Sequence, residues 1–409
     1  MKLAVIGAGS TYTPELVSHL SELGVDELAL QDVDAERLEV VGTLAERMLQ
    51  RAGFVGSVMR TGDHDAAIDG ASFVLFQIRV GGQGARLQDE TIPLRCGCVG
   101  QETTGAGGFA KAMRTLPVVL ELAERVAERA APGAWIVDFT NPVGIVTRAL
   151  LDAGHRAVGL CNVAITFQRL IARLLGVEPE RVSVDQVGLN HLTWIRAVHI
   201  GGRDVLPELL AAHADELAED IELPRSVLDD LGVLPSYYLH YFYAHDRVVA
   251  EQRDGIPRAQ TVAEIERELL RMYRDPALTE KPALLEQRGG AFYSEAAVGL
   301  VRSLSTGDGT VHVVDTRNAG TLSGLADDDV VEVPARITED GPSPLPQAPL
   351  TPELLGLVQH VAAYERLTVA AATTRDHVAA RKALLAHPLI GQTAFVDELV
   401  DSLVAEAVR

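Results

Sequence analysis

Cys161 and His191 are the two side chains of this 409-residue chain whose local settings most restrict their chemistry. The thiol closes the apolar run Ala157-Val158-Gly159-Leu160. That places it at the carboxyl end of a buried strand, where open α/β sheets hold their ligands. The imidazole stands in Gly188-Leu189-Asn190-His191-Leu192, between two apolar-alternating runs, Val182 to Val187 and Leu192 to Ile200. It is expected in a loop at a strand junction. Taken singly, each residue also reads as an ordinary core residue. Together, a thiolate and an imidazole suit a borderline divalent ion.

Three further groups carry chemical potential. Four of the eight tyrosines fall in Leu234-Pro235-Ser236-Tyr237-Tyr238-Leu239-His240-Tyr241-Phe242-Tyr243. Clustered phenols pack well, and one of them becomes a general base where a cation lowers its pKa. The stretch Gln101-Glu102-Thr103-Thr104-Gly105-Ala106-Gly107-Gly108-Phe109 reads as a glycine-rich loop before a helix from Ala110 to Arg129, with Glu, Thr and amide groups able to reach a sugar or phosphate. Just upstream, Arg95 is a candidate anion clamp. Asn141, in Asp138-Phe139-Thr140-Asn141-Pro142, ends a buried strand and can either bond a ligand hydroxyl or cap the next helix.

The elements that must position these groups follow a rhythm. Lys2 to Ile6 is a short strand, Gly7-Ala8-Gly9-Ser10-Thr11-Tyr12-Thr13 a glycine turn, and Pro14 opens a helix. In that setting a pyrophosphate rests on free backbone N–H groups at Gly7, Gly9, Ser10 and Thr11. Leu28-Ala29-Leu30 leads to Asp32, 23 residues after Gly9, near the spacing of a carboxylate that binds the adenosine ribose hydroxyls and favours NAD over its 2′-phosphorylated form. A third glycine, expected at position 12 of a complete fingerprint, is replaced by Tyr12. Strands at Val58–Arg60, Ser72–Gln77, Ala134–Phe139 and Ala157–Leu160 alternate with helical patterns, which implies a parallel doubly wound sheet. The rhythm is lost after Leu192, and Pro352 to Val408 is strongly helical. The expected architecture is α/β: residues 1–165 form a Rossmann-like NAD-binding domain, and residues 166–409 a mixed α+β domain for substrate, metal and oligomerisation. Pro342 to Pro349 is expected to be a surface connection.

Composition narrows the function. Hydrophobic content of 47% and charged content of 23% are those of a soluble globular protein. A net charge of −21 argues against nucleic acid or an anionic membrane as partner. Three cysteines, no leader and no long apolar span fit a reducing cytoplasm. Cys96 and Cys98 are expected to be small buried residues and not ligands.

These segments resemble glycoside hydrolase family 4, the NAD- and divalent-metal-dependent glycosidases, an exception to the two-carboxylate rule. The resemblance is carried by Gly7 to Leu16, Gly100-Gln101-Glu102-Thr103-Thr104-Gly105, Thr140-Asn141-Pro142, Gly159-Leu160-Cys161-Asn162, Gly188-Leu189-Asn190-His191, Pro235-Ser236 with Tyr238-Leu239, Arg288-Gly289-Gly290-Ala291 and Ala386-His387-Pro388-Leu389. In this family Ser-Thr-Tyr usually follows the second glycine, so Tyr12 supports the likeness.

The resemblance implies NAD and Mn²⁺ (or another divalent metal) as cofactors, with Cys161 and His191 as metal ligands. It implies hydride transfer from C3 of the glycone, removal of the C2 proton by a tyrosinate, elimination of the aglycone, water addition and return of the hydride. Tyr238, in its Pro-Ser-x-Tyr-Leu context, matches the base, with Tyr241 as runner-up. Arg95, Asn141 and Arg288 match substrate-binding positions. Relatives acting on α-glycosides carry Asp directly after the metal cysteine; Asn162 cannot protonate a leaving group and points to a β-linkage, such as a 6-phospho-β-glucoside. Unphosphorylated, α-linked or uronic acid glycosides remain alternatives, as does a 2-hydroxy-acid dehydrogenase on the same fold. A non-catalytic NAD sensor is the third reading. A homodimer or homotetramer is the family habit.

Overall fold

The structure is a computed structural model that describes residues 1–20, 23–289 and 292–408. Gly290 and Ala291 of the Arg288 motif lie outside the described residues. The first six strands are β1 (Lys2–Ile6), β2 (Glu27–Gln31), β3 (Ser57–Thr61), β4 (Phe73–Phe76), β5 (Trp135–Asp138) and β6 (Ala157–Gly159). They pair in parallel in the order β3-β2-β1-β4-β5-β6, the order of a dinucleotide-binding sheet. Each expected strand of this half is present.

The inner strands are mostly apolar and buried because both faces are covered, whereas β3, at the edge, reads Ser-Val-Met-Arg-Thr and is not buried. On β1, Leu3 and Val5 pack into one core with the helices Ala35–Arg51 and Tyr293–Thr306. Ala4 and Ile6 point the other way and meet Phe109, Leu116 and Val119 of the helix Gly105–Arg129.

The second half of the chain continues the same sheet. Its strands are β7 (Val182–Leu189), β8 (Leu192–Ile200), β9 (Arg203–Asp204), β10 (Leu234–Pro235), β11 (Val311–Arg317), β12 (Val330–Thr338) and β13 (Gly341–Pro344). β11 lies antiparallel on β6, and β12, β7, β8 and β10 follow in that order, all antiparallel. Register aligns Asp138 of β5, Gly159 of β6, Asp315 of β11, Glu332 of β12 and Gly188 of β7 in one cross-strand row. Three buried carboxylates therefore span the sheet just before the Cys161 and His191 segments leave it.

Two expectations need correction. Pro342 to Pro344 are not simple connection: they pair with β12 as part of β13, an outer strand off the main path, where proline is tolerated. The glycines of Gly105 to Phe109 are already helical. They serve close packing, since a Cβ at Gly107 would lie 2.3 Å from the Gln101 carbonyl and 2.5 Å from that of Asp89. The terminal helical stretch forms three helices, Pro352–Thr374, His377–Ala386 and Thr393–Val408, the first ending at Arg375 in the left-handed region. Among the described residues no helix is long and apolar enough to cross a membrane.

Candidate active site

A cleft of about 1090 Å³ runs over the carboxyl ends of the parallel strands. At one part of its wall are Gly7, Gly9, Ser10, Asp32, Val33 and Gln77. The Gly9 N–H donates to Asp32 Oδ2 at 2.7 Å, and the Asp34 N–H to Oδ1 at 2.9 Å. Two backbone donors thus hold the carboxylate at the tip of β2, with lone pairs left to accept from diol hydroxyls. A Cβ at Gly9 would sit 2.7 Å from Asp32 Oδ2, so only glycine permits this approach. Thr11 is different. Its side chain is fully buried, outside the cleft wall, and its carbonyl accepts from the Tyr273 hydroxyl at 2.7 Å.

Cys161 follows β6 by two residues and is buried. Burial pushes its thiol well above the usual range, with Glu332 adding to the effect and the Tyr293 hydroxyl, donating at 4.0 Å to Sγ, opposing it. His191 occupies the two-residue turn Asn190-His191 between β7 and β8, at φ +63°. Histidine tolerates this region better than most residues. Burial lowers its pKa to about 3, with Lys111 contributing, so the imidazole is neutral. Thr103 Oγ1 lies 3.0 Å from its Nδ1. Tyr238, in the helical turn Tyr237–Leu239, stacks its ring on the imidazole at 3.7 Å between centroids and 15° between planes.

The structure gathers Asn141, Asn162, Tyr238 and Arg288 on the cleft wall. Asn141 Oδ1 is buried with no protein partner among the described residues. Arg288 is held by Glu266, with Nη2 at 2.9 Å from Oε1. Arg95 is not brought to the cleft: it ends the helix Gly82–Arg95, exposed to solvent. Arg86, earlier on the same helix, does line the cleft.

Arg86 belongs to a cluster that sequence reasoning missed. Glu102 accepts from Arg79 and, at 2.6 Å, from the Lys111 ammonium, while Arg86 Nε lies 3.3 Å away. Burial alone would raise Glu102, but Arg79, Lys111 and Arg86 together hold it well below the usual carboxylate range. Arg86 also bonds Glu90 at 2.7 Å, whose other oxygen accepts the Ala259 N–H at 2.8 Å. That contact brings Arg258 to the cleft. Only Glu102 stood in a segment with a recognisable sequence signal; Arg79, Arg86, Lys111 and Arg258 are scattered basic residues until the fold assembles them.

The carboxylate row beneath the site has a measurable consequence. Both Asp315 oxygens and Asp138 Oδ2 have no hydrogen-bond partner among the described residues. Burial raises Asp315 and Asp138 well above their usual values and Glu332 to about 7. A carboxyl raised by folding is protonated in the native state while the unfolded chain ionises. Its contribution is therefore complete below about pH 4 and lost as pH rises through the native pKa. In metal-free protein, Asp315→Asn should raise stability in urea at pH 8 by about 1–3 kcal/mol and change it little at pH 4.5. An equal effect at both pH values would show that Asp315 does not titrate in this way.

Residues 2–177 match the profile described as family 4 glycosyl hydrolase, and residues 186–390 its C-terminal domain. A probable 6-phospho-beta-glucosidase of Bacillus subtilis is 38% identical, over 98% of this chain and 95% of the relative. The 6-phospho-beta-glucosidase of Thermotoga maritima, solved with manganese, NAD+ and glucose-6-phosphate, superposes with a TM-score of 0.93 at 35% identity, covering 99% of this chain and 98% of that one. A Cryptosporidium parvum malate dehydrogenase, 16% identical with a TM-score of 0.58 over 91% of this chain and 99% of its own, shares the fold alone. The sheet order, the glycine turn with its oriented carboxylate and the matched profiles agree: the chain belongs to the family 4 glycosyl hydrolases.

Proposed function

We propose that this chain hydrolyses 6-phospho-β-glucosides with NAD⁺ and a divalent metal such as Mn²⁺ as cofactors. The charge inside the cleft carries the reading. In a protein of net charge −21, the guanidiniums of Arg79, Arg86 and Arg258 and the amine of Lys111 gather around Glu90 and Glu102, while the neighbouring Asp89 and Glu266 are paired with Arg114 and with Arg37 and Arg288. A phosphate dianion matches that local surplus, and guanidinium groups suit it geometrically.

The residues present fit both cofactors. Gly9 and the oriented Asp32 suit the adenosine part of NAD, and the orphaned Asn141 oxygen can accept from a ligand hydroxyl or amide. Cys161 and His191 suit the metal: the neutral imidazole has a lone pair to give, and a buried thiol needs a nearby cation before it ionises. Among the described residues no group of three or more His, Cys, Asp or Glu side chains is placed to hold a metal ion, so these two residues would hold it together with non-protein ligands. When bound, NAD⁺ takes up and returns a hydride at C3, and the metal stabilises the negative charge that develops on the C3 oxygen. Tyr238 then removes the proton at C2. Asn162, beside the thiol, offers no proton to the leaving group, in keeping with a β-linkage. Arg288, braced by Glu266, orients the sugar. Because the hydride returns, the net reaction is hydrolysis.

This reading includes the cytoplasm, supported by three unpaired cysteines, and a homo-oligomeric assembly. The test is hydrolysis of para-nitrophenyl 6-phospho-β-glucoside, its α-anomer and both unphosphorylated forms, with and without Mn²⁺ and NAD⁺ under reducing conditions. Turnover of the phosphorylated β-substrate alone, dependent on both additions, is the expected result. Preference for an unphosphorylated form would overturn the role given to the cationic cluster.

A further inference from the structure

Within the segment Gln101-Glu102-Thr103-Thr104, whose first three residues line the cleft, the Gln101 and Thr103 side chains meet each other, and Thr103 reaches His191. One terminal atom of the Gln101 side-chain amide receives the Thr103 and Thr104 backbone N–H groups, the latter at 2.8 Å. Backbone N–H groups only donate, so the atom they share must be the amide oxygen. The Thr103 hydroxyl lies 2.8 Å from that same oxygen. An amide oxygen only accepts, so the hydroxyl proton is committed to Gln101. What remains on Thr103 Oγ1 is its lone pairs, and His191 Nδ1 is 3.0 Å away. An N–H on Nδ1 completes that contact; a bare Nδ1 would face a lone pair.

We infer that Thr103, oriented by Gln101, is a positioning residue that fixes His191 as the Nδ1–H tautomer and reserves Nε2 as the metal-binding lone pair. Among the described residues no protein hydrogen bond is made to Nε2. The stacked Tyr238 ring and the tight turn that carries His191 restrict rotation of the imidazole out of this arrangement. Partners of this kind set both ring orientation and ligand basicity at metal sites. The chain thus uses the residues before its longest helix to prepare a ligand on a hairpin 88 positions away.

The inference rests on the reading of His191 as a metal ligand, and the experiment separates the two. In metal-free protein with ¹⁵N-labelled histidine, long-range ¹H–¹⁵N correlations should show a protonated Nδ1 and an unprotonated Nε2 for His191, identified by its loss in His191→Ala. Thr103→Val should raise the Nε2–H population and weaken Mn²⁺ binding by about 10- to 100-fold, with NAD⁺ affinity unchanged. Thr103→Ser, which keeps the hydroxyl, should restore the wild-type pattern and affinity. A wild-type spectrum with an unprotonated Nδ1, or a valine variant that keeps both tautomer and Mn²⁺ affinity, overturns the inference. If His191→Ala binds Mn²⁺ as tightly as wild type, the metal reading fails instead, and the spectrum still decides the tautomer.

Discussion

Cys161→Ser is expected to weaken Mn²⁺ binding by at least about 100-fold and to lower turnover by on the order of 10³, with NAD⁺ affinity left within about twofold. A hydroxyl is a harder, far less acidic donor than a thiol and gives no thiolate to a borderline ion at neutral pH. The substitution is nearly isosteric, and the new hydroxyl can keep the Tyr293 contact that the thiol makes now, so the fold should survive. NAD⁺ binding should survive too, because β5 and β4 lie between β6, which carries Cys161, and β1, which carries the glycine turn. Titration calorimetry with each ligand in turn measures both affinities. Unchanged Mn²⁺ affinity and activity would remove Cys161 from the metal site.

The nucleotide-binding half was legible because its signals are local. A strand, a glycine turn and an acidic residue at the next strand end are read from consecutive residues, and the Gly9–Asp32 hydrogen bond is the physical form of that spacing. His191 was legible for a similar reason: two alternating runs separated by four residues, Gly188 to His191, leave room for little but a short strand junction, and His191 stands in the turn between the strands. Arg95 was misplaced because an arginine's meaning depends on which face of its helix meets the cleft. The helix Gly82–Arg95 has no clear apolar stripe in its sequence to orient it, and only its packing shows that Arg86 faces inward. The cationic cluster and the carboxylate row are non-local in a stronger sense. Asp315 and Glu332 come from strands far along the chain that insert beside β6, so no spacing in the sequence announces that they underlie Cys161. Likewise Tyr293 sat two residues beyond a recognised motif but gained its role only when its hydroxyl reached the thiol.

Tyr238→Phe is expected to reduce turnover by about 10²- to 10⁴-fold and to abolish incorporation of solvent deuterium at C2 of the product. The two tyrosines considered for the base differ in place. Tyr238 lines the cleft and lies parallel to His191 at 3.7 Å, beside the imidazole that would hold the metal. Tyr241 is 6.2 Å from Tyr238, ring to ring, and does not line the cleft. Burial pushes both hydroxyls up, Tyr238 with further contributions from Tyr237 and Cys161. A phenol so raised cannot serve as a base near neutral pH unless a cation offsets its burial, and only Tyr238 is beside the residues that would bring one. Phenylalanine keeps the ring on His191, so Mn²⁺ and NAD⁺ affinities should persist, which separates loss of a proton acceptor from loss of the site. Tyr241→Phe should retain deuterium exchange and most of the rate. Exchange that survives in Tyr238→Phe and disappears in Tyr241→Phe would assign the proton transfer to Tyr241, and with it a substrate pose reaching deeper than the present cleft wall.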